Sequence, residues 1–162
     1  MSVEQRNVQI RPVREEDRDA VMELASQLTE GVAEWRDPGA VVEAARQWLA
    51  GFFGPAPEQR GAVFVAAAGG EVVGEVVGEV VVNTHRHFTG PVEAYVGELV
   101  VAPRAVRTGL GRRLLSAAED WARRQGVRHL TLETAAGNTT ARRFYAAVGY
   151  REEAVRFTRV LD

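Results

Sequence analysis

The feature that most constrains this chain is a strand, a basic turn and a helix in immediate succession. An apolar run from Tyr95 to Val101 stops at Pro103, passes Arg104 and Arg107, and enters a helical pattern directly after Gly109-Leu110-Gly111. Leu110, Leu114, Ala118 and Trp121 recur at helical spacing, Gly126 sits where a helix C-terminus favours glycine, and Val127 to Glu133 reads as the next strand. Strand, helix and strand at this spacing require two parallel strands joined by a right-handed crossover. Two glycines at the helix entrance leave backbone N–H groups uncovered where the helix dipole already favours negative charge, so the turn is a candidate phosphate site.

Upstream, Val8 to Val13 alternates and breaks at Pro12, as a short first strand does. Acidic Glu15, Glu16 and Asp17 then open a helix with Val21, Leu24, Ala25 and Leu28 on its apolar face. Asp37-Pro38 is an N-cap followed by a first-turn proline, leading into Val42, Ala45, Leu49 and Phe52 and ending near Gly51. From Ala62 the sequence turns to Val-rich strands, Ala62 to Ala68 and Glu71 to Val82, joined at Gly69-Gly70 as a hairpin. The repeat Glu-Val-Val-Gly at 71–74 and 75–78 preserves strand parity: the even-numbered valines share a face with Gly74 and Gly78, and the glutamates fall on the other. It reads as a lengthened strand with bulges at the glycines rather than a repeat architecture. His85-Arg86-His87 could share a metal between two histidines, but no nearby carboxylate or third ligand is evident in the sequence; it reads as a polar hairpin tip. Downstream, Asn138 caps a helix carrying Ala141, Phe144, Tyr145 and Val148, Gly149 follows it, and Ala154 to Leu161 reads as a final strand. The expected fold is therefore α/β (α+β), one domain over residues 1–162 with a mixed sheet.

Composition narrows the chemistry. All 20 basic residues are Arg, so Schiff-base and pyridoxal-linked lysine chemistry is excluded; with no Cys, so are thiol nucleophiles, disulfides and cysteine metal sites. The net charge of −2 argues against broad nucleic-acid binding. No window resembles a membrane span or a signal peptide, so a soluble, cytoplasmic protein without a membrane partner is expected. The dinucleotide fingerprint lacks its third glycine, since Gly109-Leu110-Gly111-Arg112-Arg113 runs into Leu114, and the triphosphatase loop lacks its Lys.

Two segments carry a more specific signal. The run from Glu98 through Val101, Pro103, Arg107, Thr108, Gly109, Leu110 and Gly111 to Leu115 resembles the coenzyme A site of the GNAT N-acetyltransferase family. Leu132 to Tyr150, with Asn138, Phe144, Tyr145 and Gly149, is similar to that family's asparagine-helix-tyrosine segment. With the order of elements, the resemblance extends from Val8 to Leu161. Where the family usually carries Gln or Arg, three residues before its first glycine, this chain has Val106, with Arg107 beside it.

The resemblance implies a GNAT-like fold, a central mixed sheet flanked by about four helices, and direct transfer of an acetyl group from acetyl-CoA, without a metal, to a small-molecule or peptide amine. It implies that Leu99, Val100 and Val101 offer backbone groups to the pantetheine arm and thioester, and that Arg107, Thr108, Gly109, Leu110, Gly111 and Arg112 hold the pyrophosphate. Asn138 bonds the arm, Tyr145 is the acid for the departing thiolate, and Glu98 is the candidate base acting through water. For the acceptor it points to Glu30 to Trp35 and to Tyr150 to Phe157; Trp35 either receives a cationic amine together with Glu30 and Glu34 or packs at a helix end. A homodimer is compatible with this pattern. Two other readings stand beside the enzyme: a non-catalytic acyl-CoA-binding or sensing module, and a nucleotide-binding protein.

Overall fold

The computed structural model describes residues 7–54, 61–69 and 74–161. Strand β1 (Val8–Pro12) is followed by a 3-10 turn (Glu15–Asp17), helix α1 (Arg18–Leu24), a second 3-10 turn (Ala25–Gln27) and helix α2 (Pro38–Ala50). Strands β2 (Gly61–Ala68), β3 (Glu75–Arg86) and β4 (Val92–Val101) come next, then a 3-10 turn (Pro103–Ala105), helix α3 (Leu110–Arg124), strand β5 (Leu130–Leu132) and helix α4 (Thr139–Ala147). The sheet runs in chain order, β1-β2-β3-β4-β5, antiparallel until β4 and β5, which are parallel and joined by the crossover helix α3. This is the mixed sheet with four helices that the sequence leads one to expect.

Helix α3 buries Leu110, Leu114, Leu115, Ala118, Trp121 and Ala122. A Cβ built on Gly78 would meet Leu114 at 3.1 Å, which identifies the face of β3 that α3 covers. The alternate residues of β3 face the other way, toward α1 and α2. Both faces of the central strand are thus covered, and β3 is buried from Val76 through Val82. At the sheet edge, Arg11 forms a two-pronged ion pair with Asp17 at 2.7 and 2.9 Å, and Asp17 also accepts the Arg14 N–H at 2.8 Å. Burial works against the Asp17 carboxylate, but the Arg11 hydrogen bonds, the Arg14 N–H and the two positive charges outweigh it and hold its pKa below the ordinary value.

Several expectations need correction. Residues 154–161 form no strand: 151–161 lie exposed without regular structure, Val155, Phe157, Val160 and Leu161 among them. Alternating β-branched residues supply propensity only; a strand also needs a neighbouring edge, and β5 is three residues long. Surface ion pairs attach the tail instead, Arg142 with Glu152 at 2.6 Å and Arg156 with Glu133 at 3.2 Å. The strand expected over Val127 to Glu133 shrinks to Leu130–Leu132, and the one expected over Glu71 to Val82 runs instead over Glu75–Arg86. The turn at Gly70 and the first repeat unit up to Val73 lie outside the described residues.

Candidate functional site

After β4, the chain forms the 3-10 turn, with Thr108 Oγ1 donating to the Ala105 carbonyl at 2.6 Å. Two residues then take left-handed backbone, Arg107 (φ 63°) and Gly109 (φ 81°), and Gly109 is the N-cap of α3. No side chain caps that helix, and the N–H groups of residues 106–109 have no backbone acceptor among the described residues. The first three helical N–H groups, of Leu110, Gly111 and Arg112, are orphans by helix geometry. A Cβ at Gly109 would meet nothing within 4 Å, so space lies open above the donors. Of the nearby arginines, Arg104 pairs with Glu75 and Arg113 donates to the Val8 carbonyl, whereas Arg107 and Arg112 are exposed and form no ion pair among the described residues. Exposed orphan donors, with two guanidinium groups that form no ion pair among the described residues, make this turn a candidate anion cradle.

Next to this cradle the sheet opens. β4 pairs with β5 only through Ala94, Val96 and the intervening Tyr95, so Gly97 to Val101 have no β5 partner. On its other side β4 remains paired with β3 as far as Val101, with a register shift between Val81 and Val82 that leaves Gly97 as the extra residue. Leu99, Val100 and Val101 therefore border a cleft between β4 and β5. Phe144 of α4 reaches the cradle: a Cβ on Gly111 would lie 3.4 Å from its ring and 3.9 Å from Val101.

Asn138 is the N-cap of α4, its Oδ1 accepting the Ala141 N–H at 3.0 Å, so only its amide N–H₂ is left to donate into the cleft. The α1–α2 loop presses on it: a Cβ on Gly31 would lie 2.3 Å from Asn138 N and 2.5 Å from the Gly137 carbonyl carbon. The Tyr145 ring packs tilted against Phe144 (5.3 Å) and Tyr150 (6.0 Å), and its hydroxyl has no hydrogen-bond partner among the described residues. Burial pushes its phenol up to about 12. The Tyr150 hydroxyl donates to Glu119 of α3 at 3.0 Å.

Glu98 is buried, and burial pushes its carboxyl up to about 7, tempered by the neighbouring Glu79 carboxyl. Glu79, on β3, is fully buried, and burial, followed by the nearby Glu98 charge, holds it well above the carboxylate range. Strand parity placed Glu79 apart from the even-numbered valines, but only the third dimension reveals that its face is covered too. Trp48 of α2 was likewise not singled out by the sequence. A Cβ on Gly97 would lie 2.2 Å from its ring, so the indole lies directly over the β4 bulge beside Glu98, while Trp35 is half exposed in a loop. Further along the same face come Asn83, whose Oδ1 is buried without a partner among the described residues, and opposite it Tyr95. His85 Nε2 then lies 3.3 Å from Glu93, a carboxylate that antiparallel register, not sequence proximity, brings to it. His87 turns away, its Nδ1 2.6 Å from Thr89 Oγ1. No group of three metal-ligating side chains is found among the described residues.

A sequence profile of the Acetyltransferase (GNAT) family matches residues 20–150. The chain belongs to the GNAT acetyltransferase family. Among similar proteins, the aminoalkylphosphonate N-acetyltransferase of Salmonella typhimurium is 34% identical to this GNAT chain over 100 residues, 60% of this chain and 61% of the relative. Aminoglycoside N(6')-acetyltransferase type 1 of Serratia marcescens is 36% identical over 59 residues, 36% of this chain and 40% of the relative. The match to an uncharacterized N-acetyltransferase of Bacillus subtilis, YhfO, covers 39% of that protein, so these alignments span about two-fifths to three-fifths of the curated relatives. Among solved structures, an aminoglycoside N-acetyltransferase in complex with CoA superposes with a TM-score of 0.70 at 19% identity, covering 96% of this chain and 95% of that one. A Trypanosoma brucei acetyltransferase gives 0.65 at 20% identity, covering 96% and 100%. These structural likenesses establish the GNAT fold of the chain.

Proposed function

We propose that the protein is an acetyl-CoA-dependent N-acetyltransferase acting on a primary amine of a small molecule or peptide. The observation that carries this reading is the uncapped entrance of α3 opening beside the splayed end of β4, with a buried carboxyl of near-neutral pKa on β4. The N–H groups from Arg107 to Arg112, with the two free guanidinium groups, hold the pyrophosphate. Leu99 to Val101 present main-chain groups to the pantetheine arm and the thioester oxygen, and the Asn138 amide donates to the arm. Acetyl-CoA supplies the activated acyl group.

Glu98 takes a proton from the acceptor's ammonium, directly or through water, so that the free amine attacks the thioester; a base poised near neutrality suits that task. Tyr145 serves the departing sulfur. A full proton transfer from a phenol at about 12 to a thiolate of ordinary basicity runs uphill by about 5 kcal/mol, so the phenol acts first as a hydrogen-bond donor. Trp48, Asn83, Tyr95 and Glu93 line the face on which the acceptor approaches Glu98. Relatives named for aminoglycosides and aminoalkylphosphonates support a small polar amine, and the soluble, cytoplasmic setting and a homodimer belong to the same reading.

The test is release of CoA thiol from acetyl-CoA across polyamines, aminoglycosides, aminoalkylphosphonates, amino acids and peptide N-termini, alongside equilibrium binding of CoA, ATP and NAD. Turnover with one amine class, lost in Glu98→Gln, supports the enzyme. Tight CoA binding without any stimulated turnover would establish a binding or sensing module, and preference for ATP or NAD a nucleotide-binding protein.

A further inference from the structure

The geometry of the sheet centre points to a second residue behind the base. Glu79 pairs with Val100 across the β3–β4 ladder, and Val81 pairs with Glu98, so the two glutamates are diagonal neighbours on one face, within reach of each other's long side chains. Glu79 has no exposed surface, and Glu98 is 5% exposed at the cleft edge. Taken as carboxylates, both oxygens of Glu79 and Oε2 of Glu98 are buried without a hydrogen-bond partner among the described residues. Two like charges in such a place are untenable, and a single buried carboxylate needs a donor.

Among the described residues the surroundings offer no uncommitted cation: Arg11, on the same face beyond Val65 in the row Arg11, Val65, Glu79, is held by Asp17. β2 contains no ionisable side chain, and β4 contributes Glu93 and Tyr95 only beyond the bulge, where Glu93 is engaged by His85 and Thr131. On α1, Arg18, Asp19 and Glu23 are exposed; on α2, Glu43 is exposed and Arg46 donates to the Met22 carbonyl. Arg104 of the turn after β4 is paired with Glu75, and α3 packs on the opposite face. Among the described residues, each glutamate's only charged partner of consequence is therefore the other. A proton held between them pairs one oxygen of Glu79 with Glu98, and it belongs on the residue that water cannot reach.

We propose that Glu79 is a permanently protonated positioning residue, its O–H donated to the Glu98 carboxylate, so that Glu98 can ionise in a desolvated site and accept the acceptor's proton. The proton on Glu79 is not consumed: its O–H donates to Glu98 throughout, to a carboxylate oxygen before proton transfer and to a neutral carboxyl oxygen after it, while Glu98 passes the amine's proton onward to solvent. This rests on Glu98 being the base, but the placement of the shared proton can be measured without turnover.

Carboxyl-carbon NMR of the glutamate-labelled wild-type protein, assigned with the Glu79→Gln and Glu98→Gln variants, reads that placement. The expected result is one resonance, Glu79, remaining at its protonated position through pH 8 while Glu98 titrates near neutrality. A Glu79 resonance that is ionised at pH 7 overturns the proposal. The second measurement is the pH profile of kcat/KM. Glu79→Val, a residue suited to a buried strand, removes the donor and is expected to move the acidic limb up by at least one pH unit, a loss of about tenfold at pH 6 with the high-pH plateau retained. Glu79→Gln keeps an N–H donor and is expected to stay closer to wild type. A limb moving downward in Glu79→Gln would show an ionised, repelling Glu79, and a limb unmoved in Glu79→Val would show a bystander; either overturns the inference. An acidic limb that survives in Glu98→Gln refutes the base assignment alone, leaving the NMR result to stand separately.

Discussion

Replacing Gly31 with alanine tests whether the α1–α2 loop and the cap of α4 are held together as the structure has them. Two costs are separable. Gly31 has φ +72°, and a Cβ in left-handed backbone costs about 1–2 kcal/mol. The Cβ would also lie 2.3 Å from Asn138 N, 2.5 Å from the Gly137 carbonyl carbon and 2.8 Å from Asn138 Cα. Reaching ordinary van der Waals distance from these backbone atoms needs a shift of about 1 Å, and overpacking of that kind costs about 1–3 kcal/mol. The total is about 2–5 kcal/mol, or a fall in Tm of roughly 5–20 °C for a chain of this size. Gly126 is the matched control, with φ +73° and nothing within 4 Å of its Cβ; Gly126→Ala carries the backbone cost alone. Urea unfolding of both variants, with CoA titrated by calorimetry, separates the contributions. Gly31→Ala is expected to be less stable than Gly126→Ala by about 1–3 kcal/mol and, because the strain falls on Asn138, to bind CoA more weakly. Equal stabilities within about 0.5 kcal/mol would refute the loop contact, since additive effects at distant sites agree to that precision.

Arg11→Met leaves the buried Asp17 with only the Arg14 N–H and should destabilise by about 3–5 kcal/mol. The sign of its pH dependence is a sharper check: in the wild type the lowered Asp17 pKa gives stability that is present above the unfolded value, about 3.9, and lost as pH falls through the folded value. In Arg11→Met burial dominates, the folded pKa rises above 3.9, and urea midpoints should improve from pH 7 toward 4; a wild-type slope would refute the pairing. Gly97→Ala is expected to keep the fold but push the Trp48 ring aside, raising the acceptor KM by about threefold or more with little change for acetyl-CoA; an unchanged acceptor KM would remove Trp48 from the acceptor face. Tyr145→Phe should lower kcat by about 10–100-fold, the worth of a hydrogen bond to a charged group, with CoA affinity kept; unchanged single-turnover rates would remove Tyr145 from the chemistry.

What could be read from the sequence follows the range of the forces involved. Helix α3 was legible because Leu110, Leu114, Ala118 and Trp121 are periodic over fifteen residues, and α4 because Asn138 and Gly149 punctuate it locally. Local backbone chemistry likewise marks the anion cradle at Gly109. Glu79 was not legible, because parity separates the two faces of a strand without saying that both are covered. The bulge at Gly97 and the Trp48 ring above it depend on contact between residues nearly fifty positions apart. His85 and Glu93 meet through register. The tail failed as a strand for a related reason: Val155 and Phe157 supply propensity, but pairing depends on an edge elsewhere in the chain.

The brevity of β5 bears on how this molecule comes apart. Three ladder positions join it to the sheet, and α4 behind it buries no residue completely, whereas β2, β3 and β4 share long ladders under α1, α2 and α3. The β5–α4 segment is thus the cheapest cooperative unit to release, and its amides should exchange with solvent at a free energy well below that of global unfolding. A ligand spanning from Gly109 to Asn138 would bind only the closed form, so its affinity would appear as slowed exchange confined to β5 and α4, with the slow amides of β3 unmoved.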